Sequence, residues 1–166
     1  VFLATDFYSQ YTGGSRGNLA AIGVHEIAHQ WWFGLVGSDH AIEPWLDEAM
    51  AVYSERIFYE NNYPANISWW WRYRVDYFDP TGYVDTSIYN GGSFRLYTDA
   101  VYLRGAHFLD DLRERMGYGN FSKFIKEYAR RYSHGHATSA DFFALVRETV
   151  NVDISDLLEE YFAGSY

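Results

Sequence analysis

Two histidines four residues apart with a glutamate beside the first, His25-Glu26-Ile27-Ala28-His29, and a further glutamate at Glu48 supply the residue types of a catalytic metal centre. On a helix, positions i and i+4 share a face about one turn apart, so both imidazoles can reach a single ion. Glu26 is displaced around the helix from that pair. It can reach a metal-bound water without taking a coordination position, which is the placement of a base rather than a ligand. Residues 30 to 47 suffice to end the first helix at Gly34, turn, and begin a second helix that carries Glu48 back across the ion. Two histidines and one glutamate leave a fourth position open, as in catalytic rather than structural zinc sites. The expectation is one zinc ion per chain, with His25, His29 and Glu48 as ligands and Glu26 as catalytic base. The competing reading is a pair of core histidines satisfied by hydrogen bonds, with Glu26 on a solvated edge. It must explain polar side chains on a helix that is apolar nearly all round (Leu19, Ile22, Val24, Ile27, Trp31, Phe33), where unpaired polar burial is costly.

These residues need elements to position them. Val1 to Tyr8 alternates loosely with β-branched and aromatic residues and predicts an edge strand, ended by Thr12-Gly13-Gly14-Ser15. Asn18 suits the N-cap of the motif helix and Gly34 its C′ position. Pro44 fits the first turn of a helix to about Tyr59, with Leu46, Ala49, Met50, Tyr53 and Ile57 on one face and Glu48 riding on it. Residues 64 to 75 read as helical, and Asp79 to Ser93, rich in Gly, Asp, Tyr and Asn, as an irregular loop. Val101, Gly105, Leu109, Leu112 and Met116 stripe a helix over Thr98 to Met116, closed by Gly117. Shorter helices follow over Phe121 to Tyr132, over Ser139 to Val150 behind a Thr138-x-x-Asp141 capping box, and over Ile154 to Phe162 behind Asp153. The fold class is α+β, dominated by helix, with one or few edge strands.

At 166 residues, with no linker-like or charge-block interruption, residues 1–166 read as a single domain. A net charge of −9 and the lack of clustered Lys and Arg argue against a nucleic-acid partner. No apolar run approaches the roughly 18 residues of a membrane span. The absence of cysteine excludes disulfides and thiolate ligands but leaves the compartment open. A chain beginning Val1-Phe2-Leu3 is expected to be part of a longer protein with further domains.

The motif and its surroundings, His25-Glu-Ile-Ala-His29-Gln-Trp-Trp-Phe-Gly-Leu-Val and Glu43-Pro-Trp-Leu-Asp-Glu48-Ala-Met-Ala-Val-Tyr53, resemble the M1 family of gluzincin metallopeptidases. Tyr102-Leu103-Arg104-Gly105-Ala106 is similar to that family's Tyr-x-Lys-Gly element, and Ala137-Thr-Ser-Ala-Asp-Phe142 to its Ala-Thr-x-x-Asp-Phe segment. The resemblance implies a thermolysin-like catalytic domain, an aminopeptidase-like activity on peptide substrates, and the same zinc ligands and base. It also implies that Tyr102 hydrogen-bonds the oxyanion; from its spacing alone, Tyr102 is one of 16 tyrosines, packed against the core. The family's Gly-x-Met-Glu-Asn element, whose glutamate holds a substrate amine, is not present. Asp47 stands for the usual Asn and Arg104 for the usual Lys. Val52 occupies the position, four residues after Glu48, where thermolysin-type enzymes often place an acidic partner for a zinc-bound histidine, so that partner is unassigned.

Such a site could activate water on zinc, pass its proton through Glu26 to a leaving amine, and stabilise the carbonyl oxygen through Tyr102. Two alternatives stand beside this: a metal-binding module of the same fold that is inactive or weakly active, and a related zinc hydrolase with non-peptide substrates. His134-Gly-His136 reads as surface, His40 and His107 as lone histidines, and Trp69-Trp70-Trp71 as core or domain interface. Tyr83, Tyr89 and Phe94 flank the irregular loop without an assigned role.

Overall fold

The computed structural model describes residues 1–90 and 92–166 and shows a helical body with a minimal sheet. Its helices are α1 (Thr5–Ser9), α2 (Asn18–Ala28), α3 (Trp45–Asn62), α4 (Ile67–Trp70), α5 (Phe94–Thr98), α6 (Gly105–Met116), α7 (Tyr118–Arg131), α8 (Ser139–Thr149) and α9 (Ser155–Tyr161). The sheet is a two-residue parallel ladder between β1 (Val36–Gly37) and β2 (Gly135–His136).

The organising element is α3. From Trp45 to Tyr53 every residue is buried, on all sides of the helix. It therefore runs through the middle of the domain, with α2 on one side and α6 on another. Trp45 anchors it: the indole is fully buried among Phe142, Phe143, Phe108 and Phe162, and its Nε1 donates to Ser139 Oγ at 2.9 Å. Burial of this kind is why α3 shows no single apolar face; Asp47, Glu48 and Glu55 share the interior with Leu46, Ala49 and Met50.

Gly105 lets α6 lie directly on α3. A Cβ there would overlap that of Ala49, so the two backbones approach as closely as glycine permits. Between α5 and α6 the chain passes through a π-helical stretch, Asp99–Arg104, which carries Tyr102. The expected stripe of Val101, Gly105, Leu109, Leu112 and Met116 is buried throughout, and the capping box of Thr138 and Asp141 forms at the start of α8. Residues 64 to 75 are helical as expected, in 3₁₀, α and π turns.

Some local expectations fail. Val1 to Tyr8 is not a strand: Thr5–Ser9 is helical and none of it is buried. Period-two alternation specifies a strand only where another strand accepts its backbone bonds, and the described ladder pairs β1 with β2 alone. The N-cap of α2 is Gly17, not Asn18, and the helix ends at Ala28 with His29 as its C-cap. The residue of positive φ in the following turn is Phe33, at 110°. Gly34 is needed for another reason, since a Cβ there would stand 2.8 Å from the Gln30 carbonyl oxygen. The motif helix is also not buried all round; it buries Ala21, His25 and Ala28 and exposes Ile27. The loop expected over Asp79 to Ser93, of which Gly91 lies outside the described residues, is pinned at Val84 and Asp85. Val84 N–H donates to the Tyr161 carbonyl, and Asp85 accepts from Ala163 N, Gly164 N and Tyr166 Oη.

Replacing glycine by alanine inside a helix ordinarily stabilises by about 1 kcal/mol. At Gly105 the overlap with Ala49 reverses the sign, so Gly105→Ala is expected to lower the melting temperature. A raised melting temperature would show that α6 can shift off α3 without cost.

Candidate metal centre

His25, His29 and Glu48 come together where the end of α2 crosses the start of α3. His25 Nε2 stands 3.1 Å from His29 Nε2 and 3.2 Å from Glu48 Oε2, and His29 Nε2 stands 3.6 Å from the same oxygen. Ligands about 2.0–2.1 Å from one tetrahedral ion lie about 3.3 Å from each other, so these separations fit a zinc-sized cation. Nitrogen, nitrogen and carboxylate oxygen are also the donor set that suits zinc. Glu26 is not among the converging atoms. It is half-buried, and its Oε2 accepts the Phe2 backbone N–H at 2.8 Å.

Behind each imidazole stands a carboxylate. His29 Nδ1 lies 2.5 Å from Asp47 Oδ1. His25 Nδ1 lies 3.2 Å from Glu55 Oε1, off the line of a well-directed hydrogen bond. Glu55 is completely buried, yet fully occupied: Trp70 Nε1 donates to it at 2.9 Å, and the Arg74 guanidinium does so at 2.9 and 2.8 Å. A buried carboxylate needs that many partners, because desolvation costs several kcal/mol per ion. Such partners fix which ring nitrogen faces an ion and raise its basicity.

The pocket strongly favours positive charge. Burial by itself would lower the His25 pKa, but the adjacent carboxylates of Glu48 and Glu55 outweigh it and push it up to about 9. His29 is raised likewise, burial being overcome by Asp47. Burial opposes ionisation of Glu48, while His25 first and then the nearby Tyr102 hydroxyl hold its carboxyl below the usual range.

Tyr102 reaches the centre from the π-helical stretch. Its ring stacks on His25 with centroids 6.1 Å apart, and its hydroxyl lies near the Glu48 carboxylate. Burial first, then the negative charge of Glu48, pushes this hydroxyl far above an ordinary tyrosine, so it stays a neutral donor. Tyr97 packs edge-on against Tyr102 at 5.9 Å. Arg104 lies elsewhere, donating to the Glu160 carbonyl and covering the Tyr161 ring.

Sequence reasoning missed Glu55, Asp47 and His40 as neighbours of the centre. Glu55 follows Glu48 by seven residues, two helical turns on one face, and that spacing was the available signal. His40 is not a lone histidine: its Nδ1 lies 3.0 Å from Asp47 Oδ2. His107 pairs with Asp76 at 3.1 Å and stacks on Trp71, away from the centre. His134 and His136 are exposed, as expected. Of the tryptophan cluster, Trp70 is core and serves Glu55. Tyr83, Tyr89 and Phe94 are exposed.

A helical domain that converges two histidines and a glutamate from consecutive helices, with a carboxylate next to the first histidine, has the architecture of a gluzincin metallopeptidase. The peptidase family M1 domain matches residues 2–161, and the chain belongs to that family. It is 25% identical to a leucyl aminopeptidase of Saccharolobus solfataricus over 97% of this chain and 21% of that protein. It is 27% identical to aminopeptidase N of Streptomyces lividans over 89% of this chain and 19% of that protein. The chain thus spans about a fifth of the length of these relatives. A crystal structure of an M1 zinc metallopeptidase from Deinococcus radiodurans, a mutant bound to a Tyr-Ser-Ala substrate, shares the fold. Its TM-score is 0.69 and its identity 20%, over 93% of this chain and 36% of that one.

Because Glu55 neutralises Arg74 inside the protein, Glu55→Ala is expected to cost about 3–5 kcal/mol of stability, the usual result of stranding one member of a buried pair. Chemical denaturation measures it. A loss under about 1 kcal/mol would show that Arg74 finds solvent once released.

Proposed function

We propose that this domain hydrolyses peptide bonds in an aminopeptidase-like manner, with His25, His29 and Glu48 holding one zinc ion, Glu26 as general base and Tyr102 as oxyanion donor. The observation that carries the reading is the convergence of two imidazole nitrogens and a carboxylate oxygen within 3.6 Å, on a chain whose M1 family membership is shown. Bound zinc supplies a Lewis acid for the carbonyl and lowers the pKa of its water to about 7.

The remaining work falls to side chains of this chain. Asp47 and Glu55 orient the imidazoles so that both Nε2 atoms face the same point. Glu26, beside the ligands and outside their set, takes the proton of the attacking water and returns it to the leaving amine; such acid–base transfer is worth ~10²–10⁴-fold. Tyr102 gives its O–H to the carbonyl oxygen as negative charge develops there. Its burial keeps the proton on the hydroxyl, and its stacking on His25 sets it beside the centre. The aminopeptidase names of the relatives support cleavage at a free N-terminus, and their length supports further domains in the whole protein. Among the described residues, no helix is long and apolar enough to cross a membrane.

Zinc content and turnover test different parts of this assignment. His29→Ala is expected to lose most of its bound zinc by elemental analysis while remaining folded; full occupancy would remove His29 from the ligand set. Glu26→Gln is expected to keep zinc and lose at least ~10²-fold in kcat on a fluorogenic peptide.

For Tyr102→Phe the expected result is a lower kcat with little change in KM, since the bond strengthens only in the transition state. An unchanged kcat would return Tyr102 to a packing role.

A further inference from the structure

Asp47 and Glu48 each turn one oxygen toward the His25–His29 pair and the other toward His40. Asp47 Oδ1 serves His29, while Oδ2 stands 3.0 Å from His40 Nδ1. Glu48 Oε2 faces the two motif imidazoles, while Oε1 stands 3.9 Å from His40 Nε2. That last separation is too long for a hydrogen bond, and it is measured from the ring nitrogen other than the one that faces Asp47. One donor atom from each of His40, Asp47 and Glu48 lies within 4.8 Å of the others, so a second set of three donors adjoins the first and shares Glu48 with it.

The second set is built differently. Both carboxylates are buried, at 3% and 8% exposure, and so cannot swing away, whereas the His40 side chain is 46% exposed. His40 is nevertheless held in place: its ring packs edge-on against Phe33, 6.0 Å away, and Phe33 is the residue of positive φ in the turn after α2. Two fixed carboxylate oxygens and one solvent-facing imidazole form an open, three-donor site of a kind that suits zinc and its first-row neighbours. Carboxylates shared between adjacent ions are also what two-metal centres use, with ions about 3.5–4 Å apart.

We infer that His40, Asp47 and Glu48 form a second divalent-cation site, weaker than the first, whose filling by zinc lowers the enzyme's activity. The inference rests on the metal reading of His25, His29 and Glu48, because it divides Glu48 between two ions. Repulsion between neighbouring dications and the exposure of His40 make the second site the weaker one. A cation on Asp47 Oδ2 and Glu48 Oε1 withdraws charge from the carboxylates that orient His29 and hold the first ion. Activity therefore falls as free zinc rises.

The test uses the full-length protein and its His40→Gln variant, equilibrated against buffers of rising free zinc and read by bound zinc per chain and by peptide hydrolysis. Glutamine keeps a donor for Asp47 and removes the imidazole. The expected result is one tightly held zinc in both proteins at low free zinc. At high free zinc the native protein takes up one more ion than the variant, and its activity, relative to its own low-zinc value, falls at least about tenfold further. Equal zinc content in the two proteins at every concentration overturns the second site but leaves the first standing. An extra ion in the native protein with no greater inhibition overturns the effect on activity. A native protein that holds no tight zinc at all overturns the metal reading and this inference together.

Discussion

Two imidazole nitrogens and a carboxylate oxygen crowded within 3.6 Å of one another, in a mostly apolar interior, are the constraint on which the rest of the domain depends. Lone pairs directed at one point repel unless positive charge lies between them, and burial amplifies the repulsion by lowering the local dielectric. The surroundings answer this with negative charge behind the rings and rigid elements beneath them. Asp47 backs His29, Glu55 backs His25, and Arg74 and Trp70 hold Glu55. Each buried charge is tied to another, ending at a guanidinium.

That chain of partners explains the unusual composition of α3. A helix buried on every side would ordinarily be uniformly apolar, but this one carries Asp47, Glu48 and Glu55 within its buried stretch. They point their charge at the motif histidines, at His40 or at the segment after α3, and the aromatic packing around Trp45 anchors the start of the helix. The close seating of Gly105 on Ala49 then locks α6, and with it the π-helical stretch that presents Tyr102. A π turn accommodates an extra residue and re-aims the side chains around it, and such turns occur often at functional sites. Here one coincides with the tyrosine that stacks on His25.

The division of Asp47 and Glu48 between two sets of donors follows from the same crowding. A carboxylate has two oxygens about equally able to accept, and an interior that fixes one leaves the other pointing somewhere definite. In this domain it points at His40, which the turn after α2 brings over the site.

Much of the site was legible in the sequence because it depends on local spacing. Four residues separate the motif histidines, and helical geometry alone places both on one face; eighteen more residues suffice to bring Glu48 back. The helices over 45–62, 105–116 and 139–149 were legible for the same reason, their caps and apolar periods being properties of neighbouring residues. What tertiary structure alone decided involves contacts between elements distant in sequence. The stretch before the motif helix is not a strand, because a strand's stability lies in a partner and no local pattern supplies one. Glu55 and Arg74 became partners only when α3 and the segment after it folded together. The π turn at Tyr102 and the approach of His40 likewise depend on how helices pack rather than on what each helix prefers. Spacing along the chain thus determined which atoms could meet at the candidate metal centre, and packing determined which charges stand behind them, since buried charge is tolerable only where other elements complete its bonds.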